Sequence, residues 1–469
     1  VDDFAMTARP TRVCFRFALG ILLALAVGDP VVAADVPAAD APPQRLVLAL
    51  DGIPYALFSE LQQQGHFADF RPAARMVAPF PSLSDVSFAA IGGTPPPAGY
   101  QVMRFDPERN KVVGNTWFSL SSQAHPGFAS DSGEHSSWHR MIGYVAAYHV
   151  ALFDMHRIGE EVLASHKPTF VAYLEQSDAV MHVEGRAGGT RLLLELDRYL
   201  QQLQAEVRAR TGRGLMVDIV SDHGSTMERG RNMPIEEALR ACGFDRRKRI
   251  ESDHQVAFSY AGIIGAVAIT ARPTQVDAVA HCLAPLDGVD LVAADVGDHV
   301  LVLTADGAAE VRLAPGDEEA YLYLPLHGDP LDLAGGKPGQ RRFVEAELFR
   351  ASVDAARPDP LRRLWRAFHG AVEHPSPILV SLADGREAGN ETIRALAQLR
   401  GRAGTHGSMT RRASLGVIAS NWHEVHDVDA WQAHVRLFSR NTDLAARAYA
   451  RHWAVIRGPA IQGSGPTTP

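Results

Sequence analysis

Three apolar runs that each end in an acid constrain the fold of this chain more than any other feature. They are RLVLALDG (45–52), PTFVAYLEQSD (168–178) and LMVDIVSDHG (215–224). A near-continuous apolar run of about six residues is the pattern of a strand buried on both faces, as in a parallel sheet covered by helices. Such sheets carry their chemistry at the carboxyl ends of their strands, where Asp51, Asp178 and the adjacent Asp222 and His223 fall. Residues 54–64 and the leucine-spaced stretch 191–208 read as helices between these strands. The expected fold is therefore α/β, a mostly parallel central sheet flanked by helices.

The texture changes between 255 and 326. Short β-like runs (IIGAVAIT, DHVLVLTA, EAYLYLP) with one helical segment at 275–283 read as an inserted, smaller α+β cap. The main domain then comprises 45–254 and 327–456. It resumes with a helix at 361–372, the strand PILVSLA (377–383), the glycine loop RGRAGTHGSM (400–409), and LGVIAS (415–420), which closes the sheet. A terminal helix is expected from 430 to 455, and 457–469 reads as a disordered tail.

Arg9, Arg12 and Arg16 precede the apolar stretch FALGILLALAVG (17–28), and Val32 and Ala34 sit at small-residue cleavage positions. That order is a secretory signal peptide, 1–34, cut after Ala34; the alanine- and proline-rich 35–44 is a linker. The stretch is too short for a membrane span and no later one is longer, so a periplasmic or secreted protein without a transmembrane anchor is expected. Residues 1–34 hold three acids and three arginines, so the mature chain keeps the whole net charge of −8. That charge argues against nucleic-acid binding, while leaving room for a small phosphorylated substrate held at a local positive site. Cys242 and Cys282 remain after cleavage, as one disulfide or as two small buried residues.

The stretch PFPSLSDVSFAAIGG (79–93) supplies a candidate nucleophile. Ser84 opens an apolar helical run, where unpaired amides favour an oxyanion; the plainer reading is a serine N-cap. A serine needs a base or a metal to attack phosphorus. Asp178 and His182, at i and i+4, share one face of a helical turn. Asp222 and His223 converge at a strand tip before a glycine, and His406 lies between glycines that let backbone approach an ion. A second Ser-Asp-His at 252–254 follows a basic segment rather than an apolar strand and is set aside. Six oxygen and nitrogen donors divide into two open three-ligand sites, and three imidazoles suit zinc rather than magnesium or calcium.

Taken together, LDG at Asp51, FPSLS at Ser84, SDAVMHVEG at Asp178 and His182, SDHG at Asp222 and His223, and GTHG at His406 resemble the alkaline phosphatase superfamily, most closely its type I phosphodiesterase and nucleotide pyrophosphatase branch. The resemblance lies in the motifs and does not extend to the inserted segment. It implies an alkaline phosphatase-like core and two zinc ions, one on Asp51, Asp222 and His223 with Ser84, the other on Asp178, His182 and His406. It further implies hydrolysis of phosphodiester or pyrophosphate bonds through a phosphoserine. That branch usually places threonine at the nucleophile and, three residues on, an asparagine against a phosphate oxygen; Ser84 and Ser87 stand there here, so Ser87 takes the substrate-binding position with no amide to offer. A phosphomonoesterase of the same fold is the nearest alternative. A non-catalytic metal-binding envelope protein is the alternative from another class.

Overall fold

The computed structural model describes residues 45–101, 103–114, 130–132, 146–259, 262–335, 337, 339–389 and 403–438. The expected signal peptide, linker and tail, and the terminal helix beyond 438, lie outside the described residues.

The first part of the chain runs β1 (Arg45–Leu50), α1 (Tyr55–Gln63), β2 (Ala74–Val77), α2 (Ser84–Gly92), the hairpin β3 (Arg104–Asp106) and β4 (Lys111–Val113), α3 (Ala147–Ala164), β5 (Thr169–Leu174), α4 (Gln176–Thr211) and β6 (Met216–Ser221). β1 is central. Its side chains alternate in direction, as the pleat requires. Leu46, Leu48 and Leu50 enter a core with Leu57 and Phe58 of α1, Ile158 of α3 and Leu193 of α4, while Val47 and Ala49 enter another with Phe88 and Ile91 of α2. Both faces are covered, which is why the run has no polar alternation.

α4 is broken at Gly185, whose φ of 57° and ψ of −143° lie outside helical space. A Cβ there would stand 2.6 Å from the Cβ of Ala403. The break lets Ala403 lie against the helix, its amide donating to the His182 carbonyl at 2.9 Å.

The second part comprises β7 (Arg231–Asn232), α5 (Ile235–Ala241), β8 (Asp245–Arg246), β9 (Gln255–Phe258), β10 (Ile263–Ile264), β11 (Ala266–Thr270), α6 (Val276–Leu283), β12 (Val289–Asp295), β13 (Val300–Leu303), β14 (Ala308–Leu313), β15 (Ala320–His327), β16 (Arg341–Val344), α7 (Glu345–Ser352), α8 (Pro360–Phe368), β17 (Ile378–Leu382) and β18 (Arg386–Gly389). α9 (Arg411–Ser414), β19 (Leu415–Ser420), β20 (Val428–Asp429) and α10 (Ala430–Phe438) complete it.

The chain is mixed α/β, and parallel pairing is less general than expected. A six-stranded sheet has the order β20-β2-β19-β6-β1-β5. β1 is parallel to both β5 and β6, but β19 is antiparallel to β6 and to β2. The reversal follows from the path of the chain: residues 403–414 cross the carboxyl edge of the sheet, so β19 enters from that edge and runs back. The larger sheet, β16-β15-β14-β13-β12-β17-β11-β9-β8, is antiparallel except for its β8–β9 pair.

The larger sheet does not stop at the expected limits of 255 and 326. β8 precedes them and β16 follows, while β17, expected in the main domain, lies at its centre between β11 and β12. One face packs on α5 and α6. The other forms a single core with Leu361, Leu364 and Trp365 of α8 and with Phe80, Leu83 and Val86 around the serine stretch. The second sheet thus supports the segment that carries Ser84. Cys242 and Cys282 are joined as a disulfide between the end of α5 and the end of α6. Among the described residues, no helix is long and apolar enough to cross a membrane.

Candidate active site

β1, β6 and β5 are adjacent and in register, Leu50 beside Ser221 and beside Leu174. The residues that follow these three strands therefore meet at one edge: Asp51 after β1, Asp222 and His223 after β6, and Asp178 in the first turn of α4 after β5. Gly52 turns the chain away with a φ of 66°, and a Cβ on it would stand 2.6 Å from Asp178 Oδ1. Only a glycine lets that carboxylate approach. Side chains fix the edge: the Ser177 hydroxyl accepts from the Asp51 amide at 2.8 Å, Asp222 Oδ1 from the Gly52 amide at 3.0 Å, and the Ser221 hydroxyl from the Ile53 amide at 2.9 Å.

Ser84 is not an N-cap. Leu83 holds that position, and Ser84 is the first residue of α2. Its hydroxyl lies 3.1 Å from Asp51 Oδ1 and 3.1 Å from His223 Nε2. His406 comes from the glycine loop, its ring stacked on His223 at 3.9 Å and lying 5.0 Å from that of His182.

All three imidazoles are held in one tautomer. Nδ1 of His182 lies 2.9 Å from the Gly404 carbonyl, that of His223 2.8 Å from the Gly224 carbonyl, and that of His406 2.9 Å from the Ser82 carbonyl. A carbonyl can only accept, so each Nδ1 donates, and each Nε2 is turned inward. Those nitrogens meet carboxylates. Nε2 of His223 is 3.2 Å from Asp222 Oδ2 and 3.5 Å from Asp51 Oδ1; Nε2 of His182 is 3.2 Å from Asp178 Oδ2; Nε2 of His406 is 3.8 Å from Asp178 Oδ1. Buried carboxylates crowded against one another and against imidazole nitrogens are a conflict that cations between them would relieve. Asp178 Oδ1 and Asp222 Oδ2 are buried without a hydrogen-bond partner, which points the same way.

The electrostatics express the same conflict. Burial pushes the Asp178 carboxyl up, but the facing imidazoles of His182, His406 and His223 outweigh it and hold the group well below the usual carboxylate range. Burial drives Asp222 well above that range, against the Gly52 amide and with the Asp178 charge. Burial, then the neighbouring His406, takes His223 well below the ordinary imidazole value. Close-set carboxylates and imidazoles form a donor set that a divalent cation would stabilise.

The donors fall into two groups. Atoms of Asp178, His182 and His406 lie within 4.8 Å of one another, as the sequence suggested, and so do atoms of Asp51, Asp178 and His223. Asp178 thus stands in the second group where Asp222 was expected. Asp222 remains beside it through His223.

Ser87 follows Ser84 by three residues, about one turn, in the same helix. It is 0% exposed in α2, and its hydroxyl has no hydrogen-bond partner among the described residues. The second Ser-Asp-His is a surface feature, with Asp253 paired to Arg272 at 3.0 Å. Sequence reasoning missed Tyr173, near the end of β5, whose hydroxyl donates to Asp51 Oδ2. It missed Ser177 and the buried Arg363 as well. Tyr173 and Ser177 sit beside recognisable ligands, but their partner Asp51 is more than 100 residues away in the chain.

Compared with known proteins, the chain matches no family model and no curated protein.

Proposed function

We propose that this chain is a metal-dependent hydrolase of phosphoesters, of the alkaline phosphatase-like kind, acting on phosphodiester or pyrophosphate bonds through Ser84. The observation that carries the reading is the position of the Ser84 hydroxyl, 3.1 Å from both Asp51 Oδ1 and His223 Nε2 at the start of a helix, beside two three-donor groups. Asp51, Asp222 and His223 would hold one divalent ion, Asp178, His182 and His406 another, with Asp178 within reach of both. The imidazoles among the donors suit zinc better than magnesium or calcium. When bound, such ions supply the positive charge that acidifies a serine and polarises a phosphoryl group.

The remaining steps fall to the residues of the chain. The N-terminus of α2 favours negative charge on Ser84 Oγ, and the Ser84 proton is directed at Asp51 Oδ1. Attack in line forms the Oγ–P bond and breaks the bond from phosphorus to the leaving oxygen; water then hydrolyses the phosphoserine and restores the hydroxyl. Tyr173 occupies Asp51 Oδ2, which leaves Oδ1 for the reaction side. The leader-like segment and the Cys242–Cys282 disulfide support an oxidising compartment outside the cytoplasm.

The test is hydrolysis of an aryl phosphodiester beside the matching monoester by zinc-loaded protein, with Ser84→Ala as background. Diester preference and a loss of about three orders of magnitude or more in the variant are expected. Monoester preference with an inactive variant would move the assignment to a phosphatase. Equal activity in variant and wild type would remove Ser84 from the mechanism.

A further inference from the structure

Arg363, on α8, is a buried guanidinium, and among the described residues its side-chain hydrogen bonds end on neutral oxygens. Nη1 donates to the carbonyls of Pro358 at 2.9 Å and Met409 at 3.3 Å; Nη2 donates to the Pro79 carbonyl at 3.4 Å and to the hydroxyls of Ser82 at 3.1 Å and Ser414 at 2.8 Å. Burial pulls its pKa down to about 10, against the nearby charges of Asp359 and Asp290, so it stays charged at neutral pH. Burying a cation among dipoles is costly.

Three of the five oxygens it gathers belong to two segments of the candidate site. Pro79 and Ser82 lead into Ser84, and Met409 belongs to the loop of His406. Ser82 is where the segments join: its amide donates to the Gly407 carbonyl at 3.1 Å, its hydroxyl to the Ser408 carbonyl at 2.9 Å, and its own carbonyl accepts from His406 Nδ1. We propose that Arg363 is a positioning residue, which through Ser82 fixes the nucleophile segment and the His406 loop as one body and so sets His406 against Asp178 and His182. The inference rests on the hydrolase reading for its consequence in turnover, but not for its geometry.

Arg363→Lys keeps the charge and loses the planar fork; Ser82→Ala deletes one oxygen and leaves the carbonyl that His406 uses. Zinc is titrated into metal-free wild type and variants by calorimetry, and the Nδ1 proton of His406 is followed by NMR in histidine-labelled protein. Arg357→Ala, which removes the Asp290 ion pair nearby, is the control for a general loss of stability. The expected result is a loss of about tenfold to a hundredfold in affinity for one zinc equivalent in both variants, with the His406 proton exchanging faster and the control unchanged. The Arg363→Lys, Ser82→Ala double variant should lose no more than the worse single one. In turnover, kcat should fall with KM nearly unchanged.

Wild-type zinc binding and an unaltered His406 proton in both variants would overturn the proposal, as would an equal loss in the control. Should Arg363→Lys not fold, Ser82→Ala decides alone. If the wild type binds zinc and cleaves no phosphoester, the hydrolase reading fails and the titration still decides this one. If it binds no zinc, the His406 proton decides.

Discussion

Asp178 faces two ways. Oδ2 lies 3.2 Å from His182 and Oδ1 3.8 Å from His406, and the same carboxylate belongs to the group formed with Asp51 and His223. If both groups hold ions, its removal should cost more than the removal of a ligand that serves one. Asp178→Asn is expected to lose both zinc equivalents and His182→Ala only one, as counted by atomic absorption after dialysis. A different buried carboxyl, Asp359, makes its own contribution to how stability responds to pH. Burial, and then the Glu345 charge, raise it from 3.8 to about 7, against Arg362 and Arg363. Between those two values the folded chain holds a proton that the unfolded chain has released. Stability therefore falls as pH rises from about 4 to about 7, by about 1.4 kcal/mol per unit from this group, and levels off above. Asp359→Asn should lose that slope in urea unfolding across the range. Asparagine is suited to the position because it tolerates the φ of 45° found there.

At the scale of the element, the disulfide is the most direct device. It ties the end of α5 to the end of α6 and spans 40 residues of chain, for which a chain-entropy account gives about 4 kcal/mol. Replacing Cys242 and Cys282 by alanine should lower stability by up to that amount, read from the urea midpoint, with little change in turnover, because α5 and α6 lie on the face of the larger sheet away from the serine stretch. The strands that carry the site could be read from the sequence because β1, β5 and β6 each join an apolar run to an acidic tip. Strand direction and sheet membership could not. LGVIAS and PILVSLA have the same buried texture as β1, yet one runs antiparallel inside its sheet and the other sits in the middle of a different sheet, since an apolar run specifies burial and not its neighbour. His406 was legible from its glycines. Tyr173, Ser177 and Arg363 were not, because what they do depends on partners brought near only by folding.

At the scale of the whole molecule, the two sheets share a buried charge. Arg362 on α8 meets Glu319 at 3.1 Å beside the larger sheet, Glu345 at 2.9 Å at the start of α7, and Asp429 on β20 of the smaller sheet. Arg362→Ala would strand these acids in the interior and is expected to destabilise the fold by about 3–5 kcal/mol, measured by urea unfolding, with the deficit shrinking toward acid pH as the stranded carboxyls take up protons. The site itself rests on a different kind of support. The three oxygens that orient its histidines are peptide carbonyls, and two of them belong to Gly224 and Gly404. Exchanging side chains cannot delete a carbonyl. Adding one can displace it: a Cβ on Gly224 would stand 2.1 Å from the Arg412 carbonyl oxygen, and one on Gly404 2.7 Å from that of Met181. Mutagenesis that works by stripping functional groups to alanine would pass over this support, since it has none to strip. A survey that instead adds a single methyl to glycines would find it.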